Sequence, residues 1–319
     1  MHSISLAPGV SRVAPSQIRA IADVAFPMDG VLKLHFGESN MQTPQYLKDA
    51  AYRAMNEGFT FYTENAGLPS LRKAIANNYA ELHQVQVNPA DEIVITASGV
   101  QALNVSIRCV IDPGDEALVL TPNWPNGSAM VSMFGGHPIE IPLAWNNGRY
   151  EIDFAALEKA LTSKTRLLIY ASPSNPLGWV VSRHDLVQKA TQLNEFIVSH
   201  APSMIQRAGE SALKQGEKDV VAMVKSLQQK VTFCYEALNS MRHVTVARPQ
   251  GAFYLFPQIE GVDDSYSFAL TLLKETKVAV APGIAFGNGG EGAVRICCAA
   301  EMSILEKAME RIGNFLAQR

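Results

Sequence analysis

Five short stretches hold residue types that could do chemistry. In TASGVQAL (96–103) a strand end, a small-residue turn and a helix start come together. Free N–H groups and the helix dipole make such a turn an anion site, best suited to phosphate; Ser98 can add a hydroxyl, and Gly99 lets the backbone come close. An ordinary strand-to-helix turn looks the same. TPNWPNG (121–127) sets Trp124 between two prolines at a strand exit, where it could stack on a flat ring or simply pack its own loop. In SPSNPLG (172–178), Asn175 precedes a proline and is held extended, either offering its amide to a cleft or making a plain Asn-Pro turn. GFTFYTENAGLPSLR (58–72) carries Tyr62 in an aromatic, glycine-bounded loop, within possible reach of a phosphate or packed as core. GAVRICCA (292–299) puts Arg295 in an apolar strand. A lone arginine there needs a partner, either a ligand carboxylate held bidentately or a protein Asp or Glu.

The elements that must position these residues follow from periodicity. Helices are predicted over 47–58, 68–83, 100–111 and 154–161, and strands over 92–98, 116–122, 137–143 and 166–173. Apolar strands separated by helices imply a parallel sheet covered on both faces, with ligands at the carboxyl ends of its strands. From Asp185 the pattern changes to three successive helices, the last near 217–241, then short strands and a closing helix. That is a smaller α+β domain. The division expected is a large cofactor-binding α/β domain over 45–225, with 1–44 and 226–319 forming the small domain.

Composition narrows the function. The 319 residues have 27 Lys plus Arg against 30 Asp plus Glu, a net charge of −3 of mixed sign, which gives no reason to expect nucleic acid or an anionic membrane. No apolar run approaches a membrane span, and the start MHSISLAPGVSR lacks the pattern of a signal peptide. The four cysteines, Cys109, Cys234, Cys297 and Cys298, have no metal-ligand spacing, so reduced cytoplasmic thiols and no metal are expected.

Each stretch is weak alone, but their order is specific. FGESNMQTP (36–44), FYTENAGLPSLR, TASGVQAL, TPNWPNG, SPSNPLG, GAFYLFP (251–257) and VRICCA occur in that sequence. Together they resemble the pyridoxal-phosphate-dependent aminotransferases of fold type I, the aspartate aminotransferase-like class, over nearly all of the chain from about residue 30. The resemblance implies a mainly parallel large domain plus a smaller α+β domain. It implies a cytoplasmic homodimer using pyridoxal 5′-phosphate to move an amino group between an α-amino acid and a 2-oxo acid. By the same resemblance Ser98, Gly99 and Val100 hold the cofactor phosphate, Trp124 stacks on the ring and Asn175 bonds the ring's phenolic oxygen. Tyr62 reaches the phosphate of the neighbouring subunit. Arg295 takes the substrate α-carboxylate, with Gly37 along the substrate site.

The resemblance also says what should follow SPSNPLG: a helix, a strand ending in an Asp that pairs with the ring nitrogen, a strand ending in the Schiff-base lysine, a phosphate-binding Arg and a returning strand. Nothing between Gly178 and Phe196 carries them, and none of the thirteen lysines stands at a strand's carboxyl end facing a cofactor. The absent elements amount to roughly 50–70 residues, central strands of the sheet included. The break is expected at Ser182–Arg183. Three accounts stand: the native protein carries a segment absent from these 319 residues, which is preferred; the chain is an internal deletion that folds differently; or it is a catalytically dead binding protein. A same-fold lyase, such as a carbon–sulfur lyase, is the rival activity.

Overall fold

The computed structural model describes residues 6–146, 149–171, 184–318 and, for the backbone alone, 179–181. Contacts divide the chain into two units: Met1–Asn40, Ile111–Ser174 and Val224–Arg319 form the first, Met41–Val110 and Asn175–Met223 the second. The expected large domain, 45–225, thus contributes to both.

In the first unit the strand Glu116–Thr121 lies between His137–Pro142 and Thr165–Ile169, parallel to each. Its run of Ala117, Leu118, Val119 and Leu120 is buried on both faces, as parallel strands require. Asp153 caps the helix Phe154–Ala160 by accepting from the Ala156 N–H, so the chain can turn back into Thr165–Ile169. A second sheet sets Val294–Cys297 between Tyr254–Leu255 and Ala281–Pro282, antiparallel to both. Around it packs a core from the helices Gln17–Ala25, Ser265–Thr276 and Met302–Leu316, with Phe268 and Phe315 edge to face at 5.9 Å. The short strands Leu32–Lys33 and Val278–Ala279 pair in parallel, which brings the N-terminal segment beside the C-terminal third.

In the second unit the buried strand Ile93–Ile95 leads through Thr96, Ala97 and Ser98 into the helix Gly99–Arg108. Its partner is the strand Trp179–Val181, antiparallel, which the sequence reading did not assign. The helix His184–Val198 follows, and its buried Val187 and Ala190 pack with Val94, Ala102 and Val105. The sheet expected as one therefore appears as two among the described residues, and a strand returns beside Ile93–Ile95 before Ser182. Ser182 and Arg183 themselves lie outside the described residues.

Candidate functional site

Three of the residues singled out from sequence lie in the first unit, around one arginine. The strand Val294–Cys297 points Arg295 into a slot between two rings, with its guanidinium carbon 4.6 Å from the Tyr254 centroid and 4.8 Å from that of Phe286. Its Nη2 donates to the His35 carbonyl at 2.6 Å. Its Nε is buried without a partner, and no Asp or Glu ion pair reaches it among the described residues. Burial lowers the Arg295 pKa from its ordinary value, opposed by Tyr254 and Cys297. A buried guanidinium with a donor unspent is costly unless an anion completes it.

Gly37 lies against the same slot, and the loop of Trp124 is tied to it through Asn123. A Cβ on Gly37 would overlap the Tyr254 hydroxyl, so only glycine lets the chain pass there. Trp124 is half-buried in the loop that leaves Thr121, and its N–H donates to Asn123 Oδ1 at 2.7 Å. The Asn123 N–H donates to the Phe286 carbonyl at 2.8 Å, which ties the tryptophan loop to the residue under Arg295. Sequence reasoning missed His35, Tyr254, Asn123 and Phe286. His35 is fully buried, both ring nitrogens lack partners, and its pKa is lowered to about 4 by burial and then by Lys33, Arg295 and Arg19. Asn123 also leaves its Nδ2 buried and unpaired.

Ser98 and Tyr62 lie in the second unit. The Ser98 hydroxyl accepts from the Gln101 N–H at 3.2 Å, and its carbonyl accepts from Ala102. That leaves the Gly99 and Val100 N–H groups unspent at the head of a ten-residue helix, which is the arrangement a phosphate needs. Tyr62 is 85% exposed and meets His200 edge to face at 5.5 Å. Its loop is pinned by buried side chains. Arg72 donates to the Gly67 carbonyl at 3.2 Å, Ser203 to the Phe59 carbonyl at 2.6 Å, and Gln206 Oε1 accepts from Leu68 at 2.7 Å. Asn175 lies outside the described residues.

The resemblance calls for a lysine at the exit of one of the strands that lead into these loops. The strands Ile93–Ile95, Glu116–Thr121 and Thr165–Ile169 run into Thr96-Ala97-Ser98, Pro122-Asn123-Trp124 and Tyr170-Ala171. Lys73, Lys159, Lys189 and Lys214 are helical, Lys164 precedes a strand, and Lys33 ends the two-residue strand Leu32–Lys33 with its ammonium 5.6 Å from the Phe26 ring centroid. The unspent Gly99 and Val100 N–H groups suit a phosphate, and the unspent Arg295 donor suits a carboxylate; no lysine stands in these three strand exits. No cluster of three metal-ligating side chains occurs among the described residues, and no described helix is long and apolar enough to cross a membrane.

Comparison with known proteins gives the class. The family model for aminotransferase class I and II matches residues 29–193 and 177–312. The chain belongs to this family, whose members are pyridoxal-phosphate-dependent enzymes acting on amino acids and 2-oxo acids. It is 31% identical to the aspartate aminotransferase of Pyrococcus abyssi, covering 96% of this chain and 97% of that one. It is 27% identical to the aromatic-amino-acid aminotransferase 2 of Thermococcus litoralis, covering 99% of each. The crystal structure of the aromatic aminotransferase from Pyrococcus horikoshii OT3 superposes with a TM-score of 0.84 at 26% identity, over 94% of this chain and 99% of that one. The fold is the type I aminotransferase fold, and the relatives favour amino-group transfer over a lyase or a dead binding protein.

The comparisons also locate the gap. Residues 177–193 are matched twice, once at the end of the first match and once at the start of the second. The doubled stretch brackets Ser182–Arg183. The alignment with the Pyrococcus abyssi enzyme runs over 379 positions against the 319 residues of this chain, so at least 60 positions of the relative have no counterpart.

Proposed function

We propose that this chain binds pyridoxal 5′-phosphate and takes an α-amino acid and a 2-oxo acid as its substrates, working as a cytoplasmic homodimer. One observation carries the reading: Arg295 is held between two rings with a buried donor unspent and no carboxylate paired with it among the described residues. That geometry suits a planar carboxylate, the group every such substrate shares. The cofactor, when bound, supplies the carbonyl that takes up an amino group and a ring that accepts electrons.

The chain's own residues bind and orient. The N–H groups of Gly99 and Val100, with Ser98, hold the phosphate; Trp124 covers one ring face; Asn175 bonds the phenolic oxygen. Arg295 fixes the substrate carboxylate beside Gly37, and Tyr62 of each subunit completes the phosphate site of the other. Residues 45–225 serve the cofactor, and 1–44 with 226–319 form the smaller domain. No covalent step is assigned to a lysine of this chain.

Maleate, a substrate-shaped dicarboxylate without an amino group, tests the slot by calorimetric titration. The wild-type chain should bind it, and Arg295→Lys should bind at least tenfold more weakly because an ammonium cannot make the bidentate fork. Equal affinity in the two would remove Arg295 from the substrate site.

A further inference from the structure

The first unit holds a cavity of about 640 Å³ that shares no lining residue with the Arg295 slot. Three elements enclose it. One is the hairpin of Ala144–Asn146 and Arg149–Glu151, an antiparallel pair with Trp145 opposite Tyr150. The second is the end of the helix Glu217–Asn239, where Tyr235 and Asn239 stand four residues apart and so on one face. The third is the strand Val244–Thr245 with the chain that leaves it toward Gln250. A two-stranded hairpin is marginal alone. This one is anchored through Tyr150, whose ring meets Trp145 edge to face at 5.0 Å and whose hydroxyl accepts from Gln258 Nε2 at 3.3 Å. Gln258 also pairs with Thr245, so the hairpin is tied to the strand on the other side of the cavity.

The lining offers two kinds of group. Arg149 and Arg248 bring two guanidiniums, and no Asp or Glu lines the cavity. Neither guanidinium has an ion pair among the described residues. Glu151, the acid of the hairpin, is spent on Asn146 Nδ2 at 2.9 Å. Two cations in one cavity repel, and an anion between them relieves the repulsion. The other kind is aromatic. The Arg248 guanidinium lies 5.9 Å from the Tyr235 ring centroid, and Trp145 stays 40% exposed. An arginine can stack on a ring while its fork takes a carboxylate or phosphate bidentately, and a part-open tryptophan can take a second ring. Val244, Val246 and Pro249 add an apolar wall. The volume falls within the roughly 300–1,000 Å³ of small-molecule sites.

We infer that this cavity binds a small aromatic ring bearing a carboxylate or a phosphate. The acid group lies on Arg149 and Arg248, and the ring packs on Trp145 and the apolar wall. A bare anion lacks the ring contacts, so it binds more weakly. The inference uses none of the cofactor or substrate residues named above and goes beyond the proposed function.

Calorimetric titration of the full 319-residue chain tests it. The probes are phthalate and phenyl phosphate, which separate a carboxylate from a phosphate; cyclohexane-1,2-dicarboxylate and inorganic phosphate are their controls without a ring. At least one probe should bind more tightly than its control, by about tenfold. Arg149→Gln and Arg248→Gln should each weaken it at least tenfold, and Trp145→Leu several-fold. Arg166→Gln, an exposed arginine outside the cavity, should leave it unchanged. Arg149 is exposed on the hairpin, so urea unfolding of Arg149→Gln should match wild type even if Arg248→Gln loses packing on Tyr235. Absence of binding by both probes at millimolar concentration overturns the inference. So does an affinity unchanged in Arg149→Gln, which places the probe elsewhere, or a probe no tighter than its control, which leaves an anion spot alone. Arg295→Lys should keep the affinity for the probe while it lowers that for maleate, so failure here is distinct from failure of the proposed function.

Discussion

The guanidinium of Arg295 and the ring of Tyr254 lie 4.6 Å apart, and the Tyr254 hydroxyl occupies the space a side chain on Gly37 would need. One aromatic residue thus sets both the floor of the carboxylate slot and the closeness of the N-terminal segment. Gly37→Ala should therefore destabilise the first unit by about 1–3 kcal/mol through overpacking. Gly37→Ala combined with Tyr254→Phe, which removes the clashing oxygen, should recover part of the loss. Chemical denaturation of the three variants checks it; a Gly37→Ala chain as stable as wild type would show that the close approach is not required.

His35 makes stability depend on pH. The unfolded chain takes a proton on this ring near pH 6.5, whereas the folded chain resists it down to about 4. Its contribution is complete above about pH 6.5 and is lost as pH falls through that window, up to about 3 kcal/mol in all. The His35→Phe chain, whatever its absolute stability, should show a shallower decline between pH 6.5 and 4 in urea unfolding. Parallel pH profiles would mean that His35 is not held neutral.

Trp124 and Ser98 separate stacking from phosphate binding. Trp124→Ala removes a whole ring face and should weaken pyridoxal phosphate binding by roughly 0.5–1.5 kcal/mol. Ser98→Ala keeps the Gly99 and Val100 N–H groups, so affinity should fall less, while loss of the helix cap costs about 1 kcal/mol of stability. Equilibrium dialysis with the cofactor ranks the two, and equal affinity of wild type and Trp124→Ala would reverse the ranking.

Phe61 and Tyr62 are 79% and 85% exposed on a loop tied down by Arg72, Ser203 and Gln206. A tied-down loop that presents two aromatic rings to solvent is what an interface needs. The chain should sediment as a two-fold dimer burying well over ~2,000 Å², and Tyr62→Ala should weaken cofactor binding only in the dimer. A monomer at micromolar concentration would exclude the shared site.

Much of this was readable from periodicity. The helices Gln45–Asn56 and Pro69–His83 and the strand Glu116–Thr121 fall within two residues of the pattern. Arg295 was legible because a charge in an apolar strand demands a partner. Tyr254 and His35 were not, because an aromatic or imidazole among apolar neighbours looks like core until the packing shows what it touches. The strand Trp179–Val181 was passed over because three apolar residues before a helix carry no period of their own; its pairing with Ile93–Ile95 is decided by tertiary contact. The helices Gln17–Ala25 and Ser265–Thr276 were missed although Ser16 and Asp264 cap them by accepting from Arg19 and Ser267.

The central claim is that this chain binds the cofactor phosphate at Ser98–Val100 and a carboxylate at Arg295 without a covalent anchor among its own lysines. Its most direct test is to bind pyridoxal phosphate, treat with borohydride, and map any label by peptide mass spectrometry. The account predicts saturable binding that Trp124→Ala weakens, with no stoichiometric label on any single lysine of the 319 residues. One lysine labelled to completion, with the label blocked by maleate, would contradict it.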